Sequence, residues 1–397
     1  MSETLEAERT DAVDDGKIVC MLDGARVHSI QAYLRQIGSS TTIDDYKAQF
    51  PGAPILSAGA LAVLAARQKA NAEAEQSTGT TNVSYVSKAN LNEVFGFGNA
   101  KAALSSTGKP IPITTFTAPP ELTAYVPEID PAYVFDADLV KTVLLGLELG
   151  VPVYLWGHMG VGKSTVIEQI CARTGRAWMR VQHARDTESS HITGQWVVRD
   201  GATVFELGPL AYAMKHGLLY VADEYDFAMP AILAVYQPVL EGKPLVIKEA
   251  DVANRIIRPH PNFRMMATGN TNGAGDETGL YQGTIVQNAA NYERFGIVAQ
   301  VQYMPRKMEE LVVRQQAGID AASAEKLVQF ANLIRERYSA GEMGLPMSPR
   351  SIINAAKIGV RMACYRRGLE LSFISRLDST SRDTAREIMG RVFPPTK

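Results

Sequence analysis

The stretch "WGHMGVGKSTVIEQI", Trp156 to Ile170, decides the fold of this chain. Residues 157–164 within it fit the pattern G-x-x-x-x-G-K-[ST], between the apolar run "VYLW" and the helical pattern "TVIEQICART". Glycines in this pattern let successive backbone N–H groups point at phosphate oxygens, and the N-terminus of the following helix adds partial positive charge. The stretch therefore predicts a phosphate-binding loop between a strand and a helix. The alternative is a glycine turn that only caps a structural helix.

The loop also predicts individual contacts to a nucleotide. We expect Lys163 to lie against the β and γ phosphates and Ser164 to give an oxygen to Mg²⁺, which prefers hard oxygen ligands. The residues predicted to contact the nucleotide are Gly157, His158, Met159, Gly160, Val161, Gly162, Lys163, Ser164 and Thr165. The loop alone leaves open whether the nucleotide is used to move something, to phosphorylate something or to switch between two shapes.

Composition narrows the classes of protein. The chain has 397 residues, of which 46% are hydrophobic, enough for two to three domains with at least one real core. Lys plus Arg number 40 against 42 for Asp plus Glu, so no global charge favours a nucleic-acid or membrane partner, and we expect neither. The 3 cysteines lie far apart and the N-terminus has no apolar core, which predicts a cytoplasmic protein.

Five divisions of the chain are predicted. They are a disordered acidic tail (1–16), a small N-terminal module (17–75), an extended linker containing prolines (76–125), an α/β nucleotide-binding domain (126–303) and a helical lid domain (304–397). In the α/β part, short apolar runs alternate with helical patterns, which predicts a five-stranded parallel sheet covered by helices. Each run is predicted to be a buried strand: "VPVYLW", "AWMRVQ", "GLLYVAD", "NFRMMAT" and "GIVAQVQY".

Three further patterns shape the predicted domains. "QWVVRDGATVFEL" predicts a hairpin around an Asp200-Gly201 turn, and the insertion over residues 241–261 is a candidate for another. Among the helical patterns after residue 304, residues 348–368 read as one continuous helix that starts at Ser348-Pro349.

Two adjacent acids follow the apolar run "LLYVA". At the end of a strand, Asp223 is placed to hold Mg²⁺ through water, and Glu224 is placed to polarise an attacking water. A water-activating glutamate favours nucleotide hydrolysis over phosphoryl transfer to a hydroxyl. The alternative is that both acids only cap the following helix.

Three more side chains complete the candidate catalytic set. Asn270 follows "FRMMATG" at the carboxyl end of a strand, where ligands of open α/β sheets bind, although an asparagine there also forms turns. Arg294 precedes the fifth predicted strand, and Arg350 follows Ser348-Pro349. A cation that reaches the γ phosphate accelerates hydrolysis and is sometimes supplied by a neighbouring subunit. Taken singly, each arginine is more often a solvated surface residue.

The order of these motifs resembles that of the AAA+ ATPases. Within them, "ELGPLAYAMKHGLLYVADEYD" and the "QWVVRDGATVFEL" hairpin are similar to the MoxR branch. "YVPEIDPAYVFDADLV", "AKAALSSTGKPIPI" and "GLYQGTIVQNAANYERFGIVAQVQYM" further resemble the CobS type, the ATPase subunits of aerobic cobaltochelatases.

This resemblance implies roles, cofactors and partners. Lys163, Ser164, Asp223, Glu224, Asn270, Arg294 and Arg350 are implied to be, in turn, phosphate lysine, Mg²⁺ ligand, Mg²⁺ ligand, catalytic glutamate, first sensor, trans-acting arginine finger and second sensor. ATP and Mg²⁺ are the implied cofactors. The implied assembly is a hexameric ring that works with a von Willebrand A-type protein and a large chelatase-like subunit.

The N-terminal module carries a second resemblance. "VCMLDGARVHSIQAYLRQIG" is similar to the Ros/MucR-type zinc finger, whose four ligand positions fall here on Cys20, Asp23, Tyr33 and Gly38. Because Zn²⁺ needs about four N, S or O ligands, we expect a module without zinc ligands and without bound metal.

Three functions stay open at this point. The first is a ring-forming ATPase that remodels a partner, as in a cobaltochelatase. The second is a MoxR-type chaperone ATPase unrelated to cobalt. The third is a non-hydrolysing binding module gated by nucleotide.

Overall fold

The structure, a computed structural model, describes residues 16–62, 85–98, 100–276 and 278–394. The predicted acidic tail up to residue 15 and the stretch 63–84, where the predicted module meets the linker, lie outside the described residues. The chain divides into two compact units, residues 1–82 and 83–397. None of the helices in the described ranges is long and apolar enough to cross a membrane.

The first unit is a small αβ module. Its elements are the antiparallel strands β1 (Ile18–Val19) and β2 (Arg26–Val27) and the helices α1 (Ile30–Gln36) and α2 (Ile43–Gln49). Ser29 and Thr42 cap the two helices by accepting backbone N–H groups. The buried core is made of Cys20, Ile30, Leu34 and Tyr46.

Two of the four zinc-finger positions of this unit, Asp23 and Tyr33, are joined by a hydrogen bond. The hydroxyl of Tyr33 donates to Oδ2 of Asp23 at 2.7 Å, and the backbone N–H of Ala25 donates to Oδ1 of Asp23. Among the described residues no cluster of three or more His, Cys, Asp or Glu side chains is placed to hold a metal ion. The absence of bound zinc stays a prediction.

The second unit contains the larger part of the secondary structure. Its strands are β3 (Tyr85–Asn90), β4 (Pro112–Thr117), β5 (Val153–Trp156), β6 (Trp178–Gln182), β7 (Gly194–Arg199), β8 (Ala202–Leu207), β9 (Leu219–Asp223), β10 (Leu245–Val246), β11 (Ile256–Ile257), β12 (Arg264–Gly269) and β13 (Ile297–Gln300). Its helices are α3 (Leu91–Val94), α4 (Ala137–Leu149), α5 (Lys163–Thr174), α6 (Ser189–Thr193), α7 (Pro209–His216), α8 (Pro230–Leu233), α9 (Gln237–Leu240), α10 (Ala289–Tyr292), α11 (Arg306–Ala317), α12 (Ala321–Ser339), α13 (Pro349–Arg361), α14 (Tyr365–Ser372) and α15 (Ser379–Val392).

A parallel sheet of five strands forms the centre of this unit, in the order β13-β5-β12-β9-β6. Alternate residues of its strands point to opposite faces. In β5, Val153 and Leu155 belong to the core on one face, and Tyr154 belongs to the core on the other. The α/β fold class with a five-stranded parallel sheet is thereby confirmed.

The prediction that every strand is buried is wrong for two of them. All residues of β9 are buried, whereas β6 and β13 consist of partly buried and exposed residues. These two are the edge strands, so each has a neighbouring strand on one side only. The apolar runs "AWMRVQ" and "GIVAQVQY" carry no signal that separates an edge from a central position.

Two hairpins project from the α/β part. β7 and β8 pair antiparallel around Asp200 and Gly201, whose φ values of 52° and 77° suit the tight turn that the sequence predicts. β10 and β11 also pair antiparallel, so the second insertion forms a ladder as expected. The indole Nε1 of Trp196 donates to the carbonyl of Glu249 at 2.8 Å, which joins the two insertions.

The C-terminal helices α11 to α15 enclose a core of their own, which includes Phe330, Ile352 and Leu369. The prediction of one continuous helix over residues 348–368 is wrong. Ala363 adopts a left-handed φ of 48°, and the chain turns there between α13 and α14. The helical periodicity continues on both sides of the turn, so the pattern hides the break. The proposed boundaries at residues 125 and 303 stay predictions.

A buried ion pair joins α11 to α12 and generates a prediction about stability. Glu309 has a fully buried carboxylate that accepts from both terminal nitrogens of Arg335 at 2.7 and 2.8 Å, and the guanidinium lies 3.9 Å from the ring centroid of Tyr303. Glu309→Leu leaves the arginine buried without its partner, so we expect it to lower the free energy of unfolding by about 3 kcal/mol. Chemical denaturation followed by circular dichroism measures this loss.

The double variant Glu309→Leu/Arg335→Met removes both charges, and we expect it to recover most of the loss. Glu387→Gln, which removes one partner of an exposed pair with Arg391, is the control and should leave unfolding unchanged. If the double variant is as unstable as Glu309→Leu, the uncompensated charge is not the cause.

Candidate functional site

The phosphate loop connects β5 to α5, as predicted, and two of its glycines are required by close approaches. A Cβ on Gly157, which has a φ of 148°, would collide with the carbonyl oxygen of Val301. A Cβ on Gly160 would lie 2.8 Å from the hydroxyl of Ser348, the residue that caps α13. The loop is therefore pressed between the sheet and the C-terminal helices.

Lys163 lies inside this loop. Its ammonium group donates to the carbonyls of Gly157 at 2.6 Å and His158 at 3.1 Å, and to Oδ1 of Asn270 at 3.0 Å. Burial lowers the pKa of Lys163 to about 8, although nearby acids, Asp226 first among them, oppose that shift. The structure thus brings together Lys163 and Asn270, which are 107 positions apart in the sequence.

Asp223 ends β9 and is the most highly bonded carboxylate of the site. Ser164 donates its hydroxyl to Oδ1 at 2.7 Å, and the hydroxyl of Thr268 donates to the same oxygen. Arg180 donates to Oδ2 from Nε at 2.8 Å and also from Nη2. Burial raises the pKa of Asp223, but these hydrogen bonds outweigh burial and hold the pKa below its ordinary value. The predicted pair Ser164 and Asp223 is in contact, while Arg180 and Thr268 were not predicted.

Glu224 follows directly in a strained backbone conformation. Its φ of 52° and ψ of 43° are left-handed, which costs a residue with a side chain about 1 kcal/mol or more. The half-buried side chain accepts from Nε2 of Gln182 at 3.4 Å, and its backbone N–H points to the hydroxyl of Thr268. Such strain collects at functional sites, where the surrounding structure maintains it.

Asp226 is a site residue that the sequence analysis missed. Its side chain is fully buried, and Oδ2 accepts the backbone N–H groups of Asn270 at 2.8 Å and Thr271 at 2.9 Å together with the hydroxyl of Thr271. Burial raises the pKa of Asp226, and these hydrogen bonds oppose the shift. The carboxylate ties the turn after β9 to the end of β12. The signal for it was the third acid in "ADEYD".

Arg350 faces the phosphate loop from α13. It lines a cavity of about 210 Å³ together with residues 160–162 and Thr165 of the loop region. The remaining lining residues are Asp130, Tyr133, Met304, Val312, Gln316, Pro349, Ile353 and Asn354. Apolar walls with a few polar groups beside a phosphate loop suit the base and sugar of a nucleotide.

Arg294 is the predicted site residue that the structure does not join to the others. Its Nε donates to Oε1 of Glu241 at 2.7 Å, and its Nη1 donates to the carbonyl of Ala290. Within the described part of the chain, none of its hydrogen bonds reaches the phosphate loop.

The strand order and the site define a class of protein. The phosphate loop follows β5, Asn270 follows the adjacent β12, and Asp223 and Glu224 follow β9 on its other side, with a helical region packed on the loop. This is the arrangement of an AAA+ P-loop ATPase, the class that the order of the sequence motifs resembles.

Comparisons with known proteins narrow the class. Residues 152–284 match the family described as AAA domain (dynein-related subfamily), and residues 309–388 match CbbQ/NirQ/NorQ C-terminal. The chain is 35% identical over 281 residues to the aerobic cobaltochelatase subunit CobS of a Sinorhizobium species, an alignment that covers 68% of this chain and 83% of that protein. It is 27% identical to von Willebrand factor A domain-containing protein 8 of Mus musculus, over 55% of this chain but 12% of that protein.

Among solved structures, the RuvB Holliday junction branch migration motor of Thermotoga maritima is 15% identical, with a TM-score of 0.38 over 67% of this chain and 72% of that chain. At that score the likeness supports no inference about function. The chain belongs to the MoxR-branch family of AAA+ ATPases that includes CobS, NorQ and CbbQ. It is accordingly a nucleotide-binding protein and an ATP hydrolase.

The contacts of Asp226 generate a prediction about turnover. Asp226→Ala removes the acceptor that holds Asn270 and Thr271, so Asn270 loses its fixed place next to Lys163. We expect ATP turnover at saturating ATP to fall by about 10- to 100-fold, because small misplacements at a reaction centre cost rate in that range. A phosphate-release assay measures it, and circular dichroism checks that the variant is folded.

Asp226→Asn is the matched control. Its amide oxygen can replace Oδ2 as the acceptor, so we expect turnover close to that of the wild type. Equal losses in the two variants would contradict the view that turnover depends on the hydrogen bonds that Oδ2 of Asp226 accepts.

The lowered pKa of Lys163 generates a prediction about pH. Lys163 is charged below pH 8 and loses its proton as the pH rises through about 8, whereas bound phosphates favour the charged form. Nucleotide affinity should therefore weaken above pH 8, by up to about tenfold per pH unit. Titration with a fluorescent ATP analogue between about pH 7.5 and pH 9.5 measures this slope.

Lys163→Met is the control. We expect it to bind the ATP analogue weakly, and methionine has no group that titrates at this position. Its affinity should be flat over the same pH range. A variant that keeps the slope of the wild type would assign the pH dependence to another group.

Proposed function

We propose that the chain assembles as a homo-oligomeric ring, a hexamer, and hydrolyses ATP at the interfaces between subunits to remodel a protein partner in the cytoplasm. The position of Arg294 carries this proposal. Lys163, Asp223 and Asn270 converge within one chain, while Arg294 is held by Glu241. An arginine that takes no part in its own site is available to complete the site of a neighbour.

ATP and Mg²⁺ are the proposed substrate and cofactor. The residues present fit Mg²⁺, because the ionised carboxylate of Asp223 and the hydroxyl of Ser164 are hard oxygen donors in direct contact. When bound, Mg²⁺ neutralises phosphate charge. Lys163 holds the β and γ phosphates, the loop amides bind their oxygens, and Arg350 reaches the nucleotide from the cavity beside α13.

In this proposal, the acidic turn after β9 supplies the residue that activates water for hydrolysis. Glu224 accepts a proton from a water that Asn270 orients, the oxygen of that water forms a bond to the γ phosphorus, and the bond to the β-phosphate oxygen breaks. ADP and inorganic phosphate leave. Arg294 of the adjacent subunit stabilises the charge on the transferred group.

The partner is proposed from the relatives. One of them contains a von Willebrand A domain by name, and CobS is a subunit of aerobic cobaltochelatase. We propose a von Willebrand A-type partner and a large chelatase-like subunit, with metal insertion into a corrin ring as the task that the identity to CobS favours. A MoxR-type chaperone unrelated to cobalt is the second candidate, which the similarity to NorQ and CbbQ favours. Co-purification with a large chelatase-like subunit separates the two.

The shared site generates a prediction for mixed subunits. Arg294→Ala and Glu224→Gln subunits are each expected to be inactive alone, because each lacks one half of every site. When the two are mixed, an interface that pairs an intact Glu224 with an intact Arg294 forms, and we expect ATP turnover to reappear with a maximum at an intermediate ratio. The phosphate-release assay is run across the ratios, with mass photometry to verify mixed rings.

The control mixes Arg294→Ala subunits with the double variant Glu224→Gln/Arg294→Ala, which supplies no intact Arg294 and should restore nothing. Verified mixed rings that stay inactive at every ratio would contradict a site shared between subunits.

A further inference from the structure

Arg180 is a charged residue at the site whose role the ATPase mechanism leaves unassigned. It lies on the edge strand β6, opposite Val221 of β9, and its guanidinium extends to the end of the sheet, where it meets Asp223. The carboxylate of Asp223 is 4% exposed and the side chain of Arg180 is 45% exposed. The buried carboxylate of Asp223 is therefore paired with a guanidinium that remains partly exposed to water.

The two oxygens of Asp223 have separate partners. Oδ2 receives the guanidinium, and Oδ1 receives the hydroxyls of Ser164 and Thr268. With two donors on Oδ2, the carboxylate cannot rotate without breaking charge-assisted hydrogen bonds. Arg180 thus fixes Oδ1 on the side of Ser164, the residue proposed to share Mg²⁺ with Asp223.

The same contact places a positive charge beside the proposed position of a divalent cation. A carboxylate that already has a guanidinium partner attracts Mg²⁺ less strongly than a free one, since two cations around one buried anion repel each other. Lys163 is a further positive charge that interacts electrostatically with Asp223.

We propose that Arg180 is a positioning residue for Asp223 which also raises the Mg²⁺ concentration that nucleotide binding requires. This inference rests on the proposed Mg²⁺ role of Asp223 and Ser164. The guanidinium stabilises the buried carboxylate before nucleotide binds and weakens the retention of the metal. The guanidinium of Arg180 thereby neutralises part of the negative charge of the site whether or not Mg²⁺ is bound.

Arg180→Gln tests the inference, because glutamine keeps a hydrogen-bond donor for Oδ2 and removes the charge. The measurement is the Mg²⁺ concentration that gives half-maximal binding of a fluorescent ATP analogue to the full chain. We expect it to fall by about fivefold in Arg180→Gln. Arg180→Lys keeps the charge, so its value should stay closer to that of the wild type than the value of Arg180→Gln does.

Arg199→Gln is the matched control, since Arg199 pairs with exposed Glu206 on the β7–β8 hairpin away from the site. It should leave the Mg²⁺ requirement unchanged. An unchanged or higher requirement in Arg180→Gln overturns the inference and leaves Arg180 a structural partner of Asp223. Binding to the wild type that is independent of Mg²⁺ overturns both the inference and the metal role beneath it.

A second measurement covers the case in which Arg180→Gln is unstable. The thermal midpoint is measured in EDTA without nucleotide for Arg180→Gln alone and in an Asp223→Asn background. The ion pair predicts that the substitution lowers the midpoint far less when the carboxylate is already gone. Equal losses in both backgrounds would remove the basis of the inference.

Discussion

The buried carboxylate of Asp226 is the contact on which the geometry of the site depends. The phosphate loop, the acidic turn and the Asn270 turn lie on separate segments that are far apart in the sequence. Asp226 joins two of them, and its own carbonyl also accepts the backbone N–H of Ile285 at 2.8 Å. Burying a carboxylate away from water costs free energy unless hydrogen bonds replace its hydration. Displacing one of these donors would bring back part of that cost, so the donors are held in place.

The two cations at the site are held by different kinds of group. Lys163 lies against carbonyls and the amide of Asn270, whereas Arg180 lies against the carboxylate of Asp223. Glu224, with its strained backbone, directly follows Asp223. A rigid arrangement of this kind is suited to binding a polyanion whose charge shifts during reaction, because the dipoles and charges are already oriented.

The sequence was most informative where chemistry is local. The loop 157–164 needs glycines and a lysine in a short stretch, so its pattern predicted the strand-loop-helix unit. The direct contact between Ser164 and Asp223, each expected only as a Mg²⁺ ligand, came from the structure. Partners that lie across the sheet were missed. Arg180 sits in the middle of the apolar run "AWMRVQ", where a single charge gives no hint of Asp223, and Asp226 became recognisable only when β12 lay next to β9. The exposure of β6 and the turn at Ala363 depend on tertiary position, so the hydrophobic pattern of the sequence could not predict them either.

Gly160 of the phosphate loop and Ser348 at the start of α13 are closely packed. The space between them would not admit a methyl group, so the loop and the first turn of α13 fit together only while residue 160 is glycine. That helix has 13 residues, a length of about 20 Å, and it shares one core with the helices around it. The loop therefore packs directly on a helix that belongs to the core of the C-terminal helices, so any substitution that enlarges residue 160 would disturb the loop and that helix together.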